Sequence, residues 1–392
     1  MRIGIDARAI TVNDRGISTY IFNLINSLAK IDGKNKFFIY INSKEGSSLD
    51  KKKIRDKLIS IKKNPNFFIK DIRSKNDLIW EQILLPWRSF KDSLDVLHMT
   101  SNRTCLFASC KLISVVHDTL ELDLYDSNYQ KMKKMKGTSL WKALLFEGRL
   151  PWKYHQFYLM PYLKFTYKYL FKKNDLVIAI SDKTKEDVLK KLKVKRRKVK
   201  MITHGIDNLF KKLPRSNKKY ILTLGGTAHQ KNPEGPLIAY SLLKEKYKKK
   251  YPLLILGASD IDIWKKLLEK YKIKNYILKG FVSKKELIRA YNEAKIFLFL
   301  SKIEGFGFPP LEAMACGTVP LVYDIDPMKS NVDNKELIVE AGVVKKVAEK
   351  MRQIIENRKL YNNLVSFGLK RSKDFSWEKC AKEYLSLYMS LK

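Results

Sequence analysis

Two glutamates, Glu304 and Glu312, bracket two glycines and a double proline in the stretch "EGFGFPPLEAMACG". Pro309 and Pro310 suit the first turn of a helix, where backbone amides lack intrahelical partners, and Gly317 suits the residue just past its end. This spacing predicts Glu304 on a loop after the apolar strand "IFLFL" and Glu312 in the first helical turns. Gly305 and Gly307 let a ligand approach the backbone closely, and a helix N-terminus favours an anion such as phosphate. Carboxylates repel phosphate but accept hydrogen bonds from hydroxyls. A ligand carrying both a diphosphate and several hydroxyls, such as a nucleotide-sugar, resolves the conflict. The alternative is a glycine-proline turn whose two glutamates are ordinary solvated acids near a helix start.

The surrounding chain predicts the frame that holds this loop. "RIGID" reads as a strand, "ARAITVNDRG" as a loop, and "ISTYIFNLINSLAK" as a helix with Ile17, Ile21, Leu24, Ile25 and Leu28 on one face. The same alternation continues through strands "FFIYI", "DVLHM", "KLISVVHD" and "DLVIAIS", with a helix over "DLIWEQILLPWRSF" and another capped by Ser181. A second block begins at "KKYILTLGG". It runs through a helix near 234–248, strand "PLLILG", a helix near 261–271, strand "NYILKG", a helix from Ser283 and strand "KIFLFL". The polar join 203–217 reads as a linker, and "DFSWEKCAKEYLSLYMSLK" as a terminal helix. The fold class is therefore α/β, with two doubly wound Rossmann-like domains, 1–205 and 206–374, and a terminal helix over 375–392. Such sheets bind ligands at the carboxyl ends of their strands, and two of them facing one another would form a cleft.

Composition bounds the function. The 392 residues are 45% hydrophobic and carry a formal net charge of +38. That charge points to an anionic membrane face, a phosphorylated substrate or a polyanion, or else to lysine spread over every solvated face. Four cysteines without a CxxC pair exclude a disulfide scaffold, and the five histidines lack metal-ligand spacing. The start "MRIGIDARAI" lacks a signal-peptide pattern, and no stretch reaches the ~18 apolar residues of a membrane span, so a cytoplasmic protein, soluble or peripheral, is expected. Residues 125–173 interleave aromatics, among them Trp141, Trp152, Tyr158 and Phe165, with lysines. That mixture suits a membrane interface, or equally a core-facing helix pair with lysine outer faces.

The stretch "SKIEGFGFPPLEAMACGTVPLV" resembles the signature of the retaining glycosyltransferases of family 4, which have the two-Rossmann GT-B fold. The resemblance extends over most of the chain, through "RIGIDARAI", "SVVHD", "ISDKTKEDVL", "HGID" and "ILTLGGTAHQKN" to the terminal helix, which it implies crosses back to the first domain. It implies that Glu304 contacts donor sugar hydroxyls, that Gly305, Phe306 and Gly307 supply backbone contacts, and that Glu312 holds the ribose. Lys231 matches the lysine that clamps the donor diphosphate, and a preorganised cation there stabilises the leaving charge. Gly225 and Gly226 fall where backbone meets phosphate, His117 near the donor sugar with Asp118 beside it, and Gly16 on the loop near phosphate or acceptor. Gln230 departs from the family, where arginine often precedes the lysine. No cofactor and no metal are implied.

The "GIDAR" and "VVHD" elements are similar to those of bacterial mannosyltransferases of surface-polysaccharide assembly. The implied donor is GDP-mannose, with a UDP-hexose as the alternative, and the implied acceptor is a saccharide, lipid-linked at the cytoplasmic membrane face. Segment 125–173, especially Lys131, Lys133, Lys134 and Lys136, and the run "KKLKVKRRKVK" (190–200) are the expected contacts to that membrane. The rival readings are a nucleotide-sugar epimerase of similar fold, which would need no acceptor, and a basic nucleic-acid-binding protein. No nucleic-acid-binding motif accompanies the charge, so nucleic acid is not expected as a partner.

Overall fold

The computed structural model describes residues 1–10, 15–43, 61, 64–74, 76–120, 122, 160–214 and 216–392. The chain forms two compact units, Met1–Thr203 joined by Cys380–Lys392, and His204–Lys379.

The first unit holds a parallel sheet whose described strands are β1 (Arg2–Asp6), β2 (Lys36–Ile41), β3 (Phe67–Asp71), β4 (Val96–Met99), β5 (Lys111–Val116), β6 (Leu176–Ala179) and β7 (Val199–Met201), in the order β3-β2-β1-β4-β5-β6-β7. β1, β4 and β6 read as near-continuous apolar runs because helices cover both faces of a doubly wound sheet. Strand order reverses between β1 and β4, which makes their carboxyl ends the topological switch point. The second unit repeats the scheme with β8 (Tyr220–Leu224), β9 (Leu253–Leu256), β10 (Tyr276–Lys279), β11 (Ala294–Phe299), β12 (Val319–Tyr323) and β13 (Ile338–Val339), ordered β10-β9-β8-β11-β12-β13. Its reversal lies between β8 and β11.

Local signals place several helices where the sequence predicts them. The Ser181 side chain accepts from Thr184 N at the head of helix Asp182–Lys190. Ser283 and Glu286 form a reciprocal capping box on Lys284–Glu293, satisfying two orphan amides together. Other expectations are corrected. The helix expected from Ile17 begins at Arg15, so Gly16 lies in its first turn rather than on the preceding loop. The helix expected over 234–248 is two, Glu234–Ser241 and Glu245–Lys250. Lys244 adopts an extended conformation between them, and Tyr240 Oη donates across the break to the carbonyl of Tyr251. The helical run from Asp77 to Lys91 contains a π-turn at Trp80–Leu84. There Leu85 N donates to Trp80 O, one residue further back than in an α-helix, just before Pro86, which has no amide to give.

The expected linker 203–217 is anchored at several points, with His204, Gly205, Ile206 and Phe210 buried and the described residues between them and beyond them largely exposed. His204 is buried and stacks on Phe308 and Trp377, Ile206 N donates to Phe375 O, and Leu213 N to Asn292 Oδ1. Gly205 permits this approach, since a Cβ there would lie 2.1 Å from Trp377 N. Part of the basic run 190–200 is likewise engaged: Lys190 pairs with Glu186, Lys191 with Asp187, and Lys198 Nζ caps the carbonyls of Lys172 and Asn174.

The terminal helix Trp377–Met389 supplies Tyr384 and Tyr388 to the first unit. Tyr388 Oη lies 2.7 Å from His98 Nδ1, Tyr384 stacks on the His98 ring, and Tyr20 Oη donates to Tyr384 Oη at 2.8 Å. His98 is fully buried, and burial, followed by the field of His117, lowers its pKa to about 3, so the ring is neutral and both its nitrogens face hydroxyls. Tyr388→Phe leaves one of those nitrogens without its partner. It should cost about 1–3 kcal/mol in urea unfolding of the first unit's signal, with the second unit's signal unchanged.

Candidate active site

The site of the second unit is built on its switch point. The loop after β8 carries Gly225, Gly226 and Lys231, and the loop after β11 carries Glu304. Because β8 and β11 are neighbours, these loops run side by side. Lys231 Nζ meets Glu304 Oε1 at 2.8 Å, with the Glu304 side chain 10% exposed and that of Lys231 42% exposed. Two further contacts lace the loops: Lys302 N donates to Gln230 O, and Asn232 Nδ2 to Leu300 O, each at 2.8 Å. Asn232 closes the turn His229–Lys231 in the left-handed region, at φ 50°, immediately before Pro233. An Asn-Pro dipeptide is a turn signal, so Asn232 was legible in "HQKNPE" as the residue that aims Lys231.

The glycines divide by task. Gly225 serves the fold: its N–H donates to Leu256 O, its carbonyl accepts from the Trp264 indole, and a Cβ would sit 2.6 Å from Ala258 N. Gly226 lies against the aliphatic stem of Lys231. Gly305 is partly buried in the second loop. Phe306 is buried among His204, Phe308 and Phe375, and its carbonyl accepts from Asn331 Nδ2 at 2.6 Å, so side chain and carbonyl both anchor the loop. Gly307 has φ +84° and caps the helix Phe308–Ala315, which carries Pro309 and Pro310 in its first turn and ends before Gly317 at φ +71°.

Glu312 lies on that helix. The residue is only partly buried, but its carboxyl is enclosed. Burial pushes its pKa up to about 7, against the opposing pull of Lys284 and of the Tyr291 hydroxyl, which donates to Oε2 at 3.3 Å; Asp207 adds to the rise. Lys284 and Asp207 are themselves an ion pair. Composition and motif gave no sign of Tyr291, Lys284 or Asp207 as neighbours of this carboxylate, because they come from a different helix and from the segment expected as a linker.

In the first unit, the switch point carries Asp6 and Thr100, whose hydroxyl donates to Asp6 O at 2.5 Å. His117 follows β5 and is 7% exposed. Its Nε2 lies 2.7 Å from Thr100 O, which makes that nitrogen the N–H donor, and its ring meets the edge of Tyr20. Burial lowers its pKa to about 4, with the Thr100 contact opposing, so His117 is neutral near pH 7. Asp118 accepts from Leu120 N and shapes the turn after β5. Gly16 is exposed, with open space where a Cβ would point. Asp6 is fully buried within a cluster of Arg8, Trp80 and Glu81 that the motif reading did not single out, and burial raises its pKa. Among the described residues, no three His, Cys, Asp or Glu side chains converge as a metal site.

Two parallel-sheet units, each with strands wound in both directions from a switch point, define a doubly wound α/β class of protein. Residues 15–208 match the model "Glycosyltransferase Family 4" and residues 205–371 match "Glycosyl transferases group 1". The chain belongs to the GT-B glycosyltransferases. Among curated proteins it is similar to the serotype-specific mannosyltransferase WbdA of Escherichia coli, 27% identical over 54% of this chain and 28% of WbdA. It is also similar to the O-antigen chain mannosyltransferase B of the same species, 29% identical over 44% of this chain and 46% of that protein. The chain thus spans less than half the length of these relatives. Among solved structures, Anabaena HepE in complex with UDP superposes with a TM-score of 0.72 at 13% identity over 99% of both chains. That likeness establishes the shared fold.

The positive φ at Gly307 and the closeness of Met328 make this glycine the tightest point of the loop, since a Cβ would lie 1.8 Å from Met328 Cε. Gly307→Ala should lower stability by about 2 kcal/mol or more. Adding Met328→Ala should recover part of the stability, because the steric share is relieved while the backbone strain remains. Urea unfolding of the single and double variants reads this directly.

Proposed function

We propose that the protein transfers a hexose, mannose by preference, from a nucleoside-diphosphate sugar to a saccharide hydroxyl with retention at the anomeric carbon. The observation that carries this reading is the Lys231–Glu304 pair at the switch point of the second sheet. A cation and a carboxylate side by side match the two ends of the bond that breaks. Lys231 takes the diphosphate and stabilises the charge that develops on it as it leaves, and Glu304 accepts hydrogen bonds from the sugar. Gly226, Gly305 and Gly307 let the loops approach the ligand, and Glu312 accepts from the ribose hydroxyls. The first unit contributes His117 as a neutral hydrogen-bonding group; a pKa near 4 is too low for proton transfer at neutral pH. The leaving diphosphate oxygen then takes the acceptor proton on the face from which it departs. In this scheme Lys231 fills the role of a charge-neutralising group without a metal.

Mannose is favoured because the curated relatives are mannosyltransferases, which suggests GDP-mannose as donor. The UDP complex of HepE supports a UDP-hexose as the alternative. O-antigen assembly by the relatives, with the lysine-aromatic composition of 125–173, supports a lipid-linked acceptor at the inner membrane face. No helix among the described residues is long and apolar enough to cross a membrane, so contact there would be peripheral.

A thermal-shift scan against GDP, UDP, ADP and their hexose conjugates tests the donor. Selective stabilisation by GDP and GDP-mannose, lost in Glu312→Ala and Lys231→Ala, is expected; no response to any nucleotide contradicts the reading. The pH arm follows from Glu312. Ribose hydroxyls bind best to its ionised form, and its pKa of about 7 in the free protein means that form is gained as pH rises. Nucleotide affinity should therefore increase by up to about tenfold from pH 6 to pH 8, and Glu312→Gln should flatten the profile.

A further inference from the structure

The helical run 77–91 presents an inverted surface. Its inward face carries Trp80, Glu81, Leu85 and Ser89, all buried. Its outward face carries Ile79, Ile83, Trp87 and Phe90 at about every fourth position, with Trp87 49% and Phe90 74% exposed. Single exposed apolar side chains are ordinary, but a continuous stripe on one helix marks a contact surface. The stripe does not end at the helix. Gln82 accepts from Leu106 N at 2.7 Å and its amide nitrogen lies 2.6 Å from Tyr162 Oη, so loop 104–109 and the helical run 160–173 adjoin it. Phe107 on that loop is 70% exposed, and Phe165 and Tyr169, on the stripe that continues from Tyr162, are exposed as well.

Charge says what covers this face. Segments 77–91, 104–109 and 160–173 contain two carboxylates, the buried Glu81 and the half-exposed Asp77 at the start of the run, and both pair with Arg8. Their cations lie among the rings: Arg88 and Lys91 stand over Trp87, and Lys168 over Tyr169. Exposed aromatics interleaved with lysines, with both acids of the run already paired to Arg8, complement an anionic lipid headgroup layer, where the rings enter the boundary and the cations meet phosphate.

We propose that the outward face of 78–91, extended by Phe107 and the 165–169 stripe, docks this protein on an anionic membrane surface. This deepens the membrane-borne acceptor reading and is independent of the donor assignment. It also moves the principal contact away from segment 125–159 and run 190–200.

The test is co-sedimentation of the full chain with vesicles of phosphatidylcholine alone or with roughly one third phosphatidylglycerol, without donor or acceptor. Binding to the anionic vesicles only is expected. The pair Trp87→Ser with Phe90→Ser should weaken it by about tenfold or more. Lys91→Glu with Lys168→Glu should weaken it most at low salt and flatten its salt dependence, while nucleotide binding by both variants stays that of the wild type. The proposal is overturned if the wild-type chain ignores anionic vesicles, or if the Trp87/Phe90 variant binds them undiminished. It is overturned equally if only replacement of Lys131, Lys133, Lys134 and Lys136 by alanine abolishes binding. A wild-type dimer that the Trp87/Phe90 variant converts to monomer, with no vesicle binding by either, would assign the face to a second copy. Vesicle binding without any nucleotide response would leave the docking face standing and remove the transferase reading.

Discussion

The ion pair between Lys231 and Glu304 is the contact around which the second unit's carboxyl edge is arranged. It joins the loops of two adjacent strands where the winding of the sheet reverses, and the Lys302–Gln230 and Asn232–Leu300 contacts hold those loops in register around it. A pair with one partner largely open to water is worth only about 0–1 kcal/mol net. Under the proposed transfer, exchanging it for a diphosphate on the lysine and sugar hydroxyls on the glutamate would therefore cost little. The pair keeps both side chains aimed without locking them, and the stiffness of the site comes from the backbone beneath.

That stiffness has identifiable sources. Phe306 is held by an aromatic cluster that includes His204, Phe308 and Phe375, and by Asn331 on its carbonyl, so the glycines on either side flank a loop centre anchored by packing. Gly307 then turns through the left-handed region into the helix that carries Glu312. The enclosure that raises the Glu312 pKa follows from the same packing, since Tyr291 reaches it from a buried position on the helix Lys284–Glu293. In the first unit the comparable burial of His117 produces a neutral imidazole whose Nε2–H is held by Thr100 O, so burial shifts His117 and Glu312 alike toward their uncharged forms.

Most of the frame was legible in the sequence because parallel strands covered on both faces are apolar throughout, and runs such as "LLIL" and "KIFLFL" admit few other readings. The glutamate helix was legible from its punctuation: Gly307, the prolines and Gly317 mark its start and stop. What escaped was whatever depends on a distant partner. The π-turn before Pro86 and the break after Ser241 are decided by hydrogen-bond accounting that periodicity does not register. The polar composition of 203–217 suggests a linker, yet its amides and carbonyls find partners such as Asn292 and Phe375. The Lys231–Glu304 contact joins residues 73 positions apart, and only the strand order brings them together. The aromatic-lysine segment was read for its composition, but its portion 125–159 lies outside the described residues, and the exposed stripe at Ile83, Trp87 and Phe90 was hidden in a helix whose apolar residues lie on both its inward and outward faces.

The central claim is a division of labour, with Lys231 on the diphosphate and Glu304 on the sugar. Calorimetric titration of GDP and GDP-mannose into the wild-type protein, Lys231→Ala and Glu304→Ala tests it most directly. The account predicts that Lys231→Ala weakens both ligands, whereas Glu304→Ala weakens the nucleotide-sugar and leaves the bare nucleotide unchanged or tighter. Equal losses for both ligands in Glu304→Ala, or no loss in Lys231→Ala, would contradict it.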